Sequence, residues 1–255
     1  MTNNALQPWF SDKGEPFHGN EPYYFNTNEF PWVAQVEARW EEIRDELLKN
    51  LEQDERILEP YLNREMATRA ESWRTLGLMF WTLKSKANCQ RFPVTWSILK
   101  NIPGITAASF NLLEPNTTIK PHFGNTNAII RCHMGLIIPA QAPRCAFRVG
   151  TETRSWEPGK FLMFCDAHQH SAWNNTDGRR YIMVVDVMTP RFAKLTKAIS
   201  SRVLADICQE AMYQRRAWLK RYFGSAFGQT LVSTFLRTSF KLSMYARGAL
   251  GRSAG

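Results

Sequence analysis

The run at residues 129–138, Ile-Ile-Arg-Cys-His-Met-Gly-Leu-Ile-Ile, constrains this chain more than any other stretch. Its aliphatic and β-branched residues predict a buried strand. A strand turns alternate side chains to opposite faces, so Arg131 and His133 point the same way out of an otherwise apolar element. Burying two such groups without partners is costly. The strand must therefore face a built polar site as well as a core.

Other short apolar runs surround it, at residues 76–83, 92–96, 107–113, 146–149, 160–165 and 180–187. Turn signals separate them: the polar stretch 84–90, Pro103-Gly104, Pro115-Asn116, Gly150, Pro158-Gly159 and Asp177-Gly178. On the last run, Arg180, Ile182, Val184 and Asp186 share a face. Before them, Asn28 suits a helix N-cap and Pro31 a first turn; Trp32, Val36, Trp40, Ile43, Leu47 and Leu51 continue one helix to about Leu51. The opposite face, with Glu37, Arg39, Glu41, Glu42 and Arg44, reads as a solvated surface. Many short strands joined by Gly/Pro turns, with flanking helices, predict a mainly β fold of jelly-roll or cupin-like type. There is no glycine-rich phosphate loop and no dinucleotide fingerprint.

The expected domains are a flexible lead-in over 1–22, the β domain over 23–195 and a basic helical extension over 196–255. The lead-in is polar, is interrupted by Pro8, Gly14 and Pro16, and does not resemble a signal peptide. Five cysteines, without metal-finger spacing, fit a reducing, cytoplasmic compartment. The net charge of +9 is uneven: from Arg191 onward twelve Lys and Arg face only Asp206 and Glu210. Two apolar stripes run through that extension, first Val203, Leu204, Ile207, Ala211, Trp218 and Tyr222, then Phe227, Leu231, Phe235, Leu242 and Tyr245. The uncharged stretch 222–236 is too short and too rich in Gly, Ser and Thr for a membrane span. Two readings stay open, packing of the stripes on the sheet and peripheral docking on an anionic membrane. No nucleic-acid motif accompanies the charge, so no nucleic-acid partner is expected.

Four of the five histidines fall in two clusters, His122 with His133 and His168 with His170, and Arg180 follows ten positions after the last. A lone histidine is more often a satisfied structural residue than a ligand, but this clustering raises a metal site to an even contender. From the residues alone zinc would be the default ion, and a non-catalytic cupin-like binding protein stays open.

The stretch at 121–139, Pro-His-Phe-Gly-Asn-Thr-Asn-Ala-Ile-Ile-Arg-Cys-His-Met-Gly-Leu-Ile-Ile-Pro, resembles the signature of the aspartyl/asparaginyl β-hydroxylase family. The similarity continues through Trp156-Glu-Pro-Gly-Lys160, Phe164-Cys-Asp166, His170-Ser-Ala-Trp173 and residues 180–187, with weaker echoes at Phe30-Pro-Trp32, Trp73 and Ile102-Pro-Gly104. The resemblance implies a double-stranded β-helix and an Fe(II)- and 2-oxoglutarate-dependent oxygenase that uses O2. It implies that His122 and His170 hold the iron, and that Arg180 clamps the distal carboxylate of 2-oxoglutarate. His122, His170 and Arg180 are then the catalytic set. Arg131 and His133 match residues that help hold the cosubstrate, and Asn111 stands where animal members carry a serine assisting the distal carboxylate. Gly124 stands where most such oxygenases carry a third, carboxylate ligand, an absence this family shares; water is expected there, and a halide-using variant is the remote alternative. Family members hydroxylate Asp or Asn in peptides, while bacterial relatives hydroxylate lipid acyl chains. With the basic extension, the expected substrate is a lipid acyl chain; the alternative is a peptide or a small natural product.

Overall fold

The computed structural model of the chain describes residues 7–11 and 14–252. Pro31 opens α1 (Pro31–Glu37) at the first helical position, where a missing N–H leaves nothing unpaired. The expected single helix is in fact two: the chain breaks at residues 38–39 and restarts as α2 (Trp40–Gln53). The break keeps Val33 and Val36 of α1 and Ile43 and Leu47 of α2 all buried in one core. Asn28 is not the cap expected of it; Asn26 accepts from the Asn28 N–H and caps a short 3-10 turn (Thr27–Glu29) instead.

The strands follow as β1 (Glu59–Pro60), β2 (Trp73–Phe80) and β3 (Leu83–Lys84), then, after two helices, β4 (Ile105–Leu113), β5 (Thr117–His122), β6 (Ile129–Ile137), β7 (Cys145–Val149), β8 (Glu152–Arg154), β9 (Phe161–Cys165), β10 (His170–Asn174) and β11 (Arg180–Met188). The intervening helices, α3 (Lys86–Arg91) and α4 (Pro93–Leu99), replace the turn and strand expected there. Ser85 caps α3, and Pro93 sits in the first turn of α4. The Glu46 carboxylate, from α2, accepts the first-turn N–H groups of Val94 and Thr95 at 2.9 and 2.7 Å. A five-residue apolar run carries no period of its own, and this distant cap decides for helix.

From β4 to β11 the chain alternates between a seven-stranded sheet (order β1-β2-β4-β11-β6-β9, with β3 beside β2) and a four-stranded one (β5-β10-β7-β8). The ladders of both sheets are antiparallel, giving the expected double-stranded β-helix, or jelly roll. Strand alternation splits the interior. Tyr181, Met183, Val185 and Val187 of β11, with Ile130, Cys132, Met134 and Leu136 of β6, join one core with Ile43, Leu47, Phe92 and Leu99 from the helices. Their neighbours Arg180, Ile182, Val184 and Asp186, with Arg131 and His133, lie on the opposite side of the sheet, where Ile182 packs with Phe147, Trp156 and Phe164. The polar residues of the central strands are thus gathered in the interior of the roll.

The chain divides into two compact units, one running to Pro190 apart from Trp81–Leu83, the other made of Trp81–Leu83 and the chain from Arg191. The second holds α5 (Thr196–Arg215), α6 (Ala217–Phe223) and α7 (Ala226–Arg252). Within it Asp206 of α5 takes the guanidinium of Arg237 on α7 at 3.3 Å, and Gln209 donates to the carbonyl of Gln229. Among the described residues no helix is long and apolar enough to cross a membrane. The first stripe is partly sunk, with Val203 and Leu204 buried, whereas the second lies on the surface.

Phe110 is fully buried in the helix-side core, against Phe92. Phe110→Ala should cost about 3–5 kcal/mol in chemical denaturation. The same truncation at exposed Phe80 should stay within about 0.5 kcal/mol. Equal losses would mean the core is misassigned.

Candidate active site

His122 ends β5 and His170 begins β10, and the two are cross-strand partners. The register counts three residues from Ile119 to His122 against two from Ala172 to His170, so β5 carries one extra residue. Strict alternation after inward-facing Ile119 would aim Pro121 inward. The bulge re-aims His122 instead, and Pro121, with no N–H to pair, suits the irregular position. The two rings come to 4.1 Å between centroids, 60° apart in plane.

Their tautomers follow from the backbone. His122 Nδ1–H donates to the carbonyl of Lys120 and His170 Nδ1–H to that of His168, each at 2.8 Å. Each Nε2 is left as a free lone pair. Desolvation holds His122 down to about 4 and His170 well below the ordinary imidazole range, so both rings are neutral. His168 is different: its Nε2 is bonded to the carbonyl of Glu21 at 2.8 Å, and its ring is wedged between Phe17 and Tyr23. It is tied up structurally.

Beside the histidines lies a buried ion cluster. Arg131 grips Asp186 with two parallel bonds of 2.8 Å, and its third nitrogen bonds Asp166 Oδ1 at 2.6 Å. Arg131 therefore retains two of its five N–H donors for another acceptor. Asp166 is completely buried, and its Oδ1 lies 3.6 Å from His170 Nε2. Its other oxygen, Oδ2, has no hydrogen-bond partner. Burial raises the Asp166 carboxyl to about 6, against the pull of Arg131. Gly124 explains how Asp166 fits: a Cβ at residue 124 would collide with the Asp166 carboxylate, and the Gly124 N–H donates to the Asp166 carbonyl at 2.8 Å. The carboxylate four residues before His170 thus fills the space that a side chain at residue 124 would need.

Deeper in, Arg180 is almost fully buried, its guanidinium 4.7 Å over the Trp156 ring and its Nε unpartnered. No carboxylate pairs with it among the described residues, and burial alone lowers it to about 10. His133 stands within electrostatic reach of Arg131, Arg180 and His170 and is kept neutral by burial. Trp156 Nε1–H donates to its Nδ1 at 3.4 Å, leaving the Nε2–H as a donor. Asn111 faces the same interior, two positions along the ladder from the partner of Arg180, but its amide is already engaged: Oδ1 accepts from Trp73 and Nδ2 donates to Ser109. His122, His170, Arg131, His133, Arg180 and Asn111 are therefore brought together in the roll interior, with Asn111 held in a bond network of its own, whereas His168 is held by Glu21, Phe17 and Tyr23. Among the described residues no three His, Cys, Asp or Glu side chains form a complete metal cage.

A sequence profile described as aspartyl/asparaginyl beta-hydroxylase matches residues 37–190. The chain belongs to the aspartyl/asparaginyl β-hydroxylase family. It is 33% identical to an ornithine lipid ester-linked acyl 2-hydroxylase of Rhizobium tropici, over 82% of this chain and 76% of that protein. It is 29% identical to the human aspartyl/asparaginyl beta-hydroxylase over 72% of this chain, but spans only 23% of that longer protein. Among solved structures, a Pseudomonas putida prolyl-4-hydroxylase aligns with TM-score 0.42 and 13% identity over 61% of this chain and 98% of that one.

Two members of the site escape a reading by residue type. Asp166 lies in the family-like segment Phe164-Cys-Asp166, but its place in the site is signalled only by its spacing to His170 and by the glycine at 124. Tyr61, stacked on Trp73 at 3.7 Å between centroids, has Arg131, Asp166 and Asp186 as its charged neighbours, and nothing in its local sequence marks it. For this β-hydroxylase-family site we expect Gly124→Ala to destabilise the fold by about 1–3 kcal/mol, since either the loop or Asp166 must move. Gly124→Asp should weaken Co(II) or Fe(II) binding in titrations instead of adding a ligand. Tighter metal binding by Gly124→Asp would mean that Asp166 does not occupy that space.

Proposed function

We propose that this chain is an Fe(II)- and 2-oxoglutarate-dependent dioxygenase that hydroxylates an unactivated C–H of a lipid acyl chain. The observation that carries the reading is Arg180, a buried guanidinium without a counter-ion, in the same interior as two neutral imidazoles with free Nε2 lone pairs. Such a cation calls for an anion, and a planar fork matches a carboxylate in a two-bond geometry.

The residues fit the implied groups. His122 and His170 would hold the metal, both pre-set in the ligating tautomer. The Arg131, Asp166 and Asp186 cluster carries more acid than base and so favours a cation beside the rings. The Asp166 Oδ2, buried without a hydrogen-bond partner, would be available as an acceptor beside the rings. Arg180 would take the distal carboxylate of 2-oxoglutarate, while the His133 Nε2–H and the spare Arg131 N–H groups would orient the end nearer the metal. Fe(II) with 2-oxoglutarate and O2 supplies the oxidant: one oxygen atom enters the C–H bond as hydroxyl, the other leaves in succinate, and CO2 is released. The protein's task is to bind, orient and exclude water, and no protein nucleophile takes part.

The acyl-chain substrate is supported by the similarity to the Rhizobium tropici acyl hydroxylase over most of both chains. The basic extension is read as a peripheral membrane contact that brings the enzyme to such a substrate. A peptide Asp or Asn is the second reading, favoured by the family description and the human relative. The deciding experiment is anaerobic loading with Fe(II) and 2-oxoglutarate, exposure to O2, and mass spectrometry of lipids and peptides for the gain of one oxygen.

His122→Ala and His170→Ala should each abolish turnover and most metal binding, while His168→Ala should stay close to wild type in metal titrations. Loss of metal in His168→Ala alone would overturn the ligand assignment. Arg180→Ala should leave metal bound and weaken 2-oxoglutarate by about 3–5 kcal/mol in calorimetry, with Arg180→Lys recovering only part. Unchanged affinity would remove Arg180 from the site, and a chain that binds neither group would be a binding protein, not an oxygenase.

A further inference from the structure

The C-terminal unit holds an apolar surface that its own packing leaves uncovered. α7 has two apolar faces. One, with Gly228, Val232, Leu236, Phe240 and Met244, is buried or half-buried on the side that meets α5. The other, Phe227, Leu231, Phe235, Leu242 and Tyr245, spreads over an arc of only about 80° at 100° per residue and lies roughly opposite the first. All five are exposed, Phe227 and Phe235 by 77% and 71%. Over α6, Trp218 and Tyr222 are likewise exposed and stack edge to face at 6.5 Å.

Charge says what meets this face. From residue 211 to the end the sequence contains eight Lys and Arg and no acid. Lys220 and Arg221 of α6 and Lys241 of α7 are exposed, and Lys197 caps one end of the α7 stripe, 3.8 Å over the Tyr245 ring. A second copy of the chain would bring like charge against like. An anionic bilayer supplies both the opposite charge and an apolar layer a few ångströms below it, and Trp and Tyr favour that boundary.

We propose that the exposed face of α6 and α7 is an in-plane membrane-docking surface, with Phe227, Leu231, Phe235, Leu242 and Tyr245 entering the headgroup–acyl boundary of an anionic bilayer and Lys220, Arg221 and Lys241 contacting its phosphates. The surface deepens the acyl-chain reading above and rests on it only for the reason to visit a membrane.

The test is flotation of the full chain with vesicles of equimolar phosphatidylglycerol and phosphatidylcholine, against pure phosphatidylcholine. The protein should bind the anionic vesicles more than about tenfold better, and the preference should fall as salt is raised. Phe227→Ser with Phe235→Ser should lower binding about tenfold, and Lys220→Glu, Arg221→Glu and Lys241→Glu together should remove the anionic preference. Circular dichroism and the chemical denaturation midpoint confirm that each variant is folded; a variant that unfolds is replaced by Leu231→Ser with Leu242→Ser. Absence of flotation by wild type at low salt, or equal binding by folded variants of the stripe, overturns the proposal. A wild-type dimer that Phe227→Ser dissociates, without vesicle binding, assigns the face to a second copy and overturns it as well. Binding of 2-oxoglutarate by the same variants separates the two readings, because it should be unchanged whether or not the surface docks.

Discussion

The grip of Arg131 on Asp186 and Asp166 is the interaction from which the rest of the site takes its shape. It joins adjacent central strands, β6 and β11, and ties both to the loop after β9. Removing one partner from a buried ion group leaves a charge stranded, a loss of about 3–5 kcal/mol in comparable cases. The cluster also sets the local field. With two carboxylates against one guanidinium it leaves the neighbourhood of His122 and His170 short of positive charge, while Arg180, farther along the same face of β11, is short of negative charge. A cation at one end of the interior and an anion at the other would each find a waiting partner. That separation of sign within the roll interior is the physical basis for proposing a metal together with a dicarboxylate there.

Strand alternation makes the separation possible. Tyr181, Met183, Val185 and Val187 are committed to the helix-side core, which leaves Arg180, Ile182, Val184 and Asp186 for the interior. Polar and apolar residues thus share one strand without competing for the same space. A one-residue slip in β11 would drive Arg180 and Asp186 into the helix-side core, so the register is held from both sides. The α2 helix, Glu46 capping α4, and the paired cores contribute to the site by holding that register.

Much of this is legible in the amino-acid order because it depends on local period. The two-residue spacing of Arg131 and His133 in an apolar run, and the two-residue steps Arg180, Ile182, Val184 and Asp186 on the last strand, are visible without coordinates, as is the jelly roll. What escaped reading depends on distant contacts. Residues 92–96 look like a strand until Glu46, nearly fifty positions earlier, is seen to cap them as a helix. His122 points inward only because of a bulge that no propensity announces. Asp166 belongs to the site because residue 124 has no side chain, a relation between two segments that neither displays alone.

The C-terminal unit shows the same limit in another form. Its two stripes look alike on paper, each a set of apolar residues at helical spacing. Their burial differs sharply, with Val203 and Leu204 packed away and Phe227 and Phe235 standing out. On α7 the difference lies within one helix. Its inner face mixes apolar residues with Arg237, which is committed to Asp206, whereas the outer face is mainly aromatic and aliphatic, interrupted by Thr238. A helix bathed on one side by water ordinarily shows the reverse order, with its more polar face outward. Leaving several large apolar side chains in water forgoes roughly 1.5–3 kcal/mol for each that burial would supply. A surface that retains such a line, on helices whose sequence from residue 211 onward carries cations and no acid, is the feature on which the proposed docking to an anionic bilayer rests.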